Sequence, residues 1–84
     1  LLDDFFINNI EDKLMMNKFY NIFLKYVKDE DIINMMKRAI SEKSINDILN
    51  VLCKVDYLSL RNIYVYIEKI NITKEEKRIL KSDN

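Results

Sequence analysis

The reactive side chains of this 84-residue sequence are almost all carboxylates and ammoniums, because it has 14 acidic residues, 14 basic residues and no histidine. The acids gather at Asp3 with Asp4, at Asp29-Glu30-Asp31, and at Glu75 with Glu76. Carboxylates grouped in this way could relay protons or hold a cation. Each group, however, falls where a helix is expected to begin, and acids there interact favourably with the positive end of the helix dipole. The triplet at 29–31 also lacks the ligand spacing and the glycine of a calcium-binding loop. Helix capping accounts for all three groups, so no catalytic, cofactor-binding or metal-ligating residue is assigned and no cofactor is expected.

The missing residue types narrow the chemistry further. Without histidine the commonest general base and metal ligand is gone. Without glycine or proline the backbone cannot form the phosphate-cradling loops, dinucleotide fingerprints or nucleophile elbows that depend on glycine. A single cysteine, Cys53, can form neither an internal disulfide nor a zinc site. It is expected as a buried helical thiol in a reducing, intracellular compartment. These absences point away from an enzyme.

Four cations, Lys74, Lys77, Arg78 and Lys81, fall on one side of the last expected helix and could form a weak phosphate-contacting stripe. Glu75 and Glu76 lie beside them and the formal net charge is zero, so a solvated helix face is the better reading. Balanced charge gives no strong nucleic-acid signal. Asn71-Ile72-Thr73 matches a glycosylation acceptor, but Thr73 has a capping role to fill. No apolar run approaches the ~18 residues of a transmembrane helix. The chain starts at Leu1 with Asp3 and Asp4 close behind, unlike a signal peptide, and lacks an initiator Met, as expected of a domain excised from a longer protein. The preference for Ile, Asn and Lys is the bias that AT-rich codons produce.

Apolar residues, by contrast, are abundant at 49% of the chain. Met15-Met16, Met35-Met36 and Phe5-Phe6 are adjacent pairs, and neighbours on a helix point about 100° apart. Both members of a pair are hard to bury against one neighbour, and Tyr64 with Tyr66 raises the same difficulty. Either a bundle touched on two sides absorbs them, or some remain exposed for a partner helix or a second copy. The candidate interaction surface is Phe5, Phe6, Met15, Met16, Met35, Tyr64 and Tyr66. A lipid or other small hydrophobic ligand is possible in such a groove, although no residue selects it.

The elements that must position these residues follow from the punctuation. A short helix over 1–8 carries its acids in the first turn. A longer one over 10–28 shows Met15, Phe19, Ile22, Phe23 and Tyr26 at helical spacing. Asp29 to Asp31 offers a cap for a third helix ending near Lys43, with Met36, Ala39 and Ile40 on its inner face. Ser44-Ile45-Asn46-Asp47 approximates a capping box for a fourth helix bearing Ile48, Leu49 and Leu52. Asp56 or Ser59 caps a fifth with Leu60, Ile63, Tyr64 and Ile67. The segment Ile63 to Ile67 is β-branched and aromatic, which favours a strand by propensity, but a lone strand has no partner here and its flanks keep helical spacing. Asn71 is a plausible stop, and Thr73-Lys74-Glu75-Glu76 a complete capping box for a short last helix to about Lys81.

The expected fold is therefore one all-α domain, an orthogonal or irregular bundle of about five short helices. Its predicted core is Phe19, Phe23, Ile33, Met36, Ile40, Ile48, Leu49, Leu52, Ile63 and Ile67. Function is expected to be that of a protein-interaction or oligomerisation module. An accessory regulatory domain of a larger nucleic-acid-binding protein and a lipid-binding domain are the alternatives.

Overall fold

Four of the five helices begin where a side-chain oxygen meets an orphan backbone amide. In the computed structural model, which describes residues 2–82 and the side chains of residues 2–72, α1 spans Leu2–Asn9, α2 Lys13–Tyr26, α3 Glu30–Ser41, α4 Ile45–Leu52 and α5 Tyr57–Ser82. Asp12 accepts from the Met15 amide at 3.1 Å, and Asp29 from the Asp31 and Ile32 amides at 2.9 and 3.3 Å. Ser44 Oγ accepts from the Asp47 amide at 3.3 Å, and Asp56 from the Ser59 amide at 3.0 Å. Each contact satisfies one of the first-turn donors that a helix cannot pair internally. The chain is an all-α bundle, with no strand among the described residues.

Two boundaries differ from the sequence reading. Helix α2 starts at Lys13 rather than Ile10, since Asp12 serves as its N-cap instead of lying in its first turn. It stops at Tyr26, and Lys28 beyond the end folds back to donate from Nζ to the Leu24 carbonyl at 3.0 Å. The larger difference is at the C-terminal side, where α5 runs without a break through Asn71 and Thr73. A capping box gains energy only by serving amides that lack a partner. Inside a continuous helix the amides after Thr73 already bond one turn back, and the Lys, Glu, Arg and Leu that follow are good helix formers. With no glycine or proline to end it, the helix continues. The Ile63–Ile67 segment is helical as expected, within α5.

The core explains how two of the adjacent pairs of large residues are absorbed. Helix α1 packs against α2, α4 and α5, and α2 packs against α1, α3 and α5. Phe5 and Phe6 are both buried because partners meet α1 on more than one side, and the same holds for Met15 and Met16 on α2. These four were expected as candidate surface and lie in the core instead. Phe6 meets Phe19 edge to face at 4.9 Å between ring centroids, and Phe5 meets Phe6 at 5.3 Å and an angle of 83°. These are arrangements in which ring edges meet ring faces favourably. Phe23 continues the cluster at 6.1 Å from Phe19.

Of the predicted core, Phe19, Phe23, Met36, Ile48, Leu52, Ile63 and Ile67 are buried, whereas Ile33, Ile40 and Leu49 are half-buried against it. The remaining polar problem is Asn9, which is buried at the end of α1. Its Nδ2 donates to the Phe5 carbonyl one turn back at 2.8 Å, which gives the buried amide a partner.

The glycine-free turn between α3 and α4 places Lys43 at φ 53°, in the left-handed region that glycine usually fills. The Ser44 amide reaches back to the Ala39 carbonyl at 3.1 Å and closes the helix end. The Lys43 ammonium meets Glu11 at 2.7 Å, joining this turn to the one between α1 and α2.

Candidate interaction surface

Helix α5 has a different character on its two sides. Ile63 and Ile67 face the core and are buried, with Leu60 and Ile70 half-buried on the same side. On a helix of 3.6 residues per turn, Leu58, Val65 and Ile72 fall on the opposite side, one every seven residues. They are 69%, 42% and 59% exposed. Large aliphatic side chains scattered singly over a surface need no explanation. A row of three at one helical phase on the side away from the core is a distinct feature, although its last member, Ile72, also edges the groove between α1 and α5. The exposed Arg61 and Glu68 border one edge of the row, and Asn62 and Lys69 the other.

Beside that row, where α2 meets α5, two tyrosines and two lysines form a cluster. The rings of Tyr26 and Tyr66 are 6.0 Å apart. Lys25 Nζ lies 5.1 Å from the Tyr66 ring centroid and 3.5 Å from its hydroxyl, and Lys69 Nζ lies 5.4 Å from the same centroid. Tyr66 is held below the ordinary phenol value, first by the hydrogen bond from Tyr26 and then by the hydrogen bond from Lys25 and its charge. Tyr26 moves the other way, through desolvation and then its bond to Tyr66. Cations over aromatic faces are attracted by the ring quadrupole, so this cluster ties α2 to α5 through polar groups at the rim of the core.

The sequence candidates that stay accessible do not share one surface. Met35, at 39% exposure, stands on α3 beside a groove of about 250 Å³ with Ala39 and Val51 in its wall. Tyr64 is half-buried and lines a different groove, of about 260 Å³, between α1 and α5, together with Leu2, Phe5 and Ile72. The Tyr64 phenol is raised from its ordinary value, chiefly by its hydrogen bond to the Glu68 carboxylate. Tyr66 belongs to the lysine cluster. The basic residues Lys74, Lys77, Arg78 and Lys81 lie outside the residues whose side chains are described.

Cys53, expected in the core, is exposed. It is the residue after α4 ends, and Ile48, Val51 and Leu52 already occupy the inner side of that helix. Among the described residues no three Cys, Asp or Glu side chains converge as a metal site, and no helix is long and apolar enough to cross a membrane.

The α5 row was open to sequence reasoning through its seven-residue spacing, but the apolar run around it hid the pattern. Comparison with protein-family models, curated proteins and solved structures finds no match to this chain.

Proposed function

We propose that the domain is a non-enzymatic helical module for protein interaction or oligomerisation, and that it binds through the outer side of α5. One observation carries this reading: Leu58, Val65 and Ile72 are exposed in a line on the side of α5 opposite the core. Leaving three aliphatic side chains in water forgoes about 1.5–3 kcal/mol for each that a partner could fully cover. Aliphatic positions repeated at helical spacing are the anchors by which one helix recognises another. The absence of histidine and of glycine-dependent loops favours the same reading over catalysis.

A photo-crosslinking residue at Val65 tests it in cells that express the protein, with the same residue at exposed Lys18 on α2 as the control. Adducts should form from position 65 and not from position 18. Equal yields from both positions, or none from either, would remove the basis for the proposal.

The lysine-flanked tyrosine pair favours a second reading, an accessory domain of a nucleic-acid-binding protein. Lys25 and Lys69 would supply phosphate contacts of the kind that weaken steeply with salt, although the zero net charge offers little long-range attraction. Salt-dependent binding of a single-stranded oligonucleotide, lost in Lys25→Ala and Lys69→Ala, is its expected signature. Among the described residues the grooves of about 250 and 260 Å³ fall below the roughly 300–1,000 Å³ of ordinary ligand pockets, which gives the lipid reading less support.

A further inference from the structure

We infer that the partner for the outer side of α5 is a second copy of this chain, docked antiparallel about Val65; this rests on reading that side as the binding surface. The inference comes from the row and from the order of the charges beside it. In an antiparallel pair of identical helices related by a two-fold axis at Val65, residue 65 faces itself. Leu58 then faces Ile72 of the other copy, and Ile72 faces Leu58. All three exposed aliphatic positions are covered at once by the same three positions, which is the self-complementarity an isologous interface requires.

The same operation sets the charges. Arg61 and Glu68 lie on one edge of the row, four residues before Val65 and three after it. The two-fold brings Arg61 of each copy level with the Glu68 region of the other, on the same edge, so two opposite-charge contacts form. The other edge places Asn62 near Lys69, with no like charges opposed. Antiparallel helices also align their dipoles favourably. A parallel arrangement sets Arg61 beside Asn62 and relies on Lys69, which is drawn over the Tyr66 ring on the α2 side, to meet Glu68; Glu68, which also accepts from Tyr64, serves in either arrangement. The geometry favours the antiparallel pair.

Three side chains per copy make a small contact, below the roughly 1,200 Å² of total buried surface at which stable complexes begin. The pair is therefore weak and concentration-dependent, and forms where the protein is abundant or held close to another copy.

Sedimentation equilibrium on the full chain, carried to about 1 mM so that millimolar dissociation constants are reached, reads the association directly. Val65→Asp should abolish it. Arg61→Glu and Glu68→Arg should each weaken it by about ten-fold, because each sets like charges together twice. The double variant carrying both changes should return to within about three-fold of the parent, since the pairs re-form with their signs exchanged. Circular dichroism on each variant shows that the helices remain. A chain that stays monomeric throughout the range overturns the inference, as does a double variant that fails to recover.

The photo-crosslinker at Val65 separates this inference from the one beneath it. An adduct of twice the chain mass supports the second copy. Adducts with other proteins alone overturn the second copy while leaving α5 as a binding surface. No adduct beyond the Lys18 control removes both.

Discussion

The side-chain amide of Asn9 reaches back 2.8 Å to the carbonyl of Phe5, one turn earlier on the same helix, and both residues are buried. Phe5 is thereby held by its ring in the aromatic cluster and by its carbonyl at the end of α1. Asn9→Ala should cost about 0.5–1.5 kcal/mol, the net contribution of one intramolecular hydrogen bond. Urea denaturation monitored by circular dichroism measures this, and a loss below about 0.5 kcal/mol would show that water replaces the amide without penalty.

Phe19 meets Phe5, Phe6 and Phe23 and has no exposed surface. Phe19→Ala should cost about 3–5 kcal/mol. A chain of this length has a total stability of roughly 4–13 kcal/mol, so the variant should be largely unfolded or close to it at 37 °C. Phe19→Leu keeps most of the volume and should remain folded with a lowered melting temperature. An alanine variant that melts like the parent would mean the cluster does not hold α1 to α2.

Lys43 carries a positive φ in a chain that has no glycine at all. Lys43→Gly removes the steric cost of a Cβ in that region, roughly 1–2 kcal/mol, and gives up an exposed ion pair worth about 0–1 kcal/mol. Glycine also gives up roughly 0.5–1 kcal/mol more chain entropy on folding, so the expected net effect is small, a rise in stability of at most about 1 kcal/mol. Glu11→Gln reads the ion pair separately. A fall in stability for Lys43→Gly larger than that of Glu11→Gln would contradict the assignment of strain to this turn.

Asp56 is held below the ordinary carboxylate value, chiefly by its hydrogen bonds with Ser59 at the start of α5. Its charged form is therefore favoured by folding. The stability it contributes is complete above the unfolded value of about 3.9 and is lost as pH falls through the lower folded value. Asp56→Asn retains a cap but does not titrate. The melting temperature of the parent should thus fall more than that of Asp56→Asn between pH 7 and pH 2.5 (about one unit below the unfolded value). Parallel curves would show that the cap draws nothing from its charge.

Three helix starts were legible in the sequence, where a cap and the amide it serves lie within three residues, whereas the Asp12 cap has the same span and was hidden by the helical pattern read from Ile10. Asp29, Ser44 and the choice of Asp56 or Ser59 needed no knowledge of the rest of the chain. The fate of Phe5, Phe6, Met15 and Met16 was not legible in this way, since burying both members of a pair depends on which helices approach from the second side. Thr73 shows the opposite failure. Its local pattern is a good start signal, and it is overridden because the preceding helix never stops. On α5, apolar residues on nearly every side concealed the outward row of Leu58, Val65 and Ile72 behind the inward one of Ile63 and Ile67.

The caps at Asp12, Asp29, Ser44 and Asp56 each close a contact spanning three residues, and this has a kinetic consequence. Each helix can fix its starting register as soon as its first turn has left the ribosome, before any residue from the far end of the chain exists. Some of the elements that remain to be joined, α1 with α2 and α3 with α4, are neighbours in sequence, and local contacts of this kind form in microseconds to milliseconds. For this chain, the slow step is left to α1, whose paired phenylalanines must wait for α4 and α5 to be made.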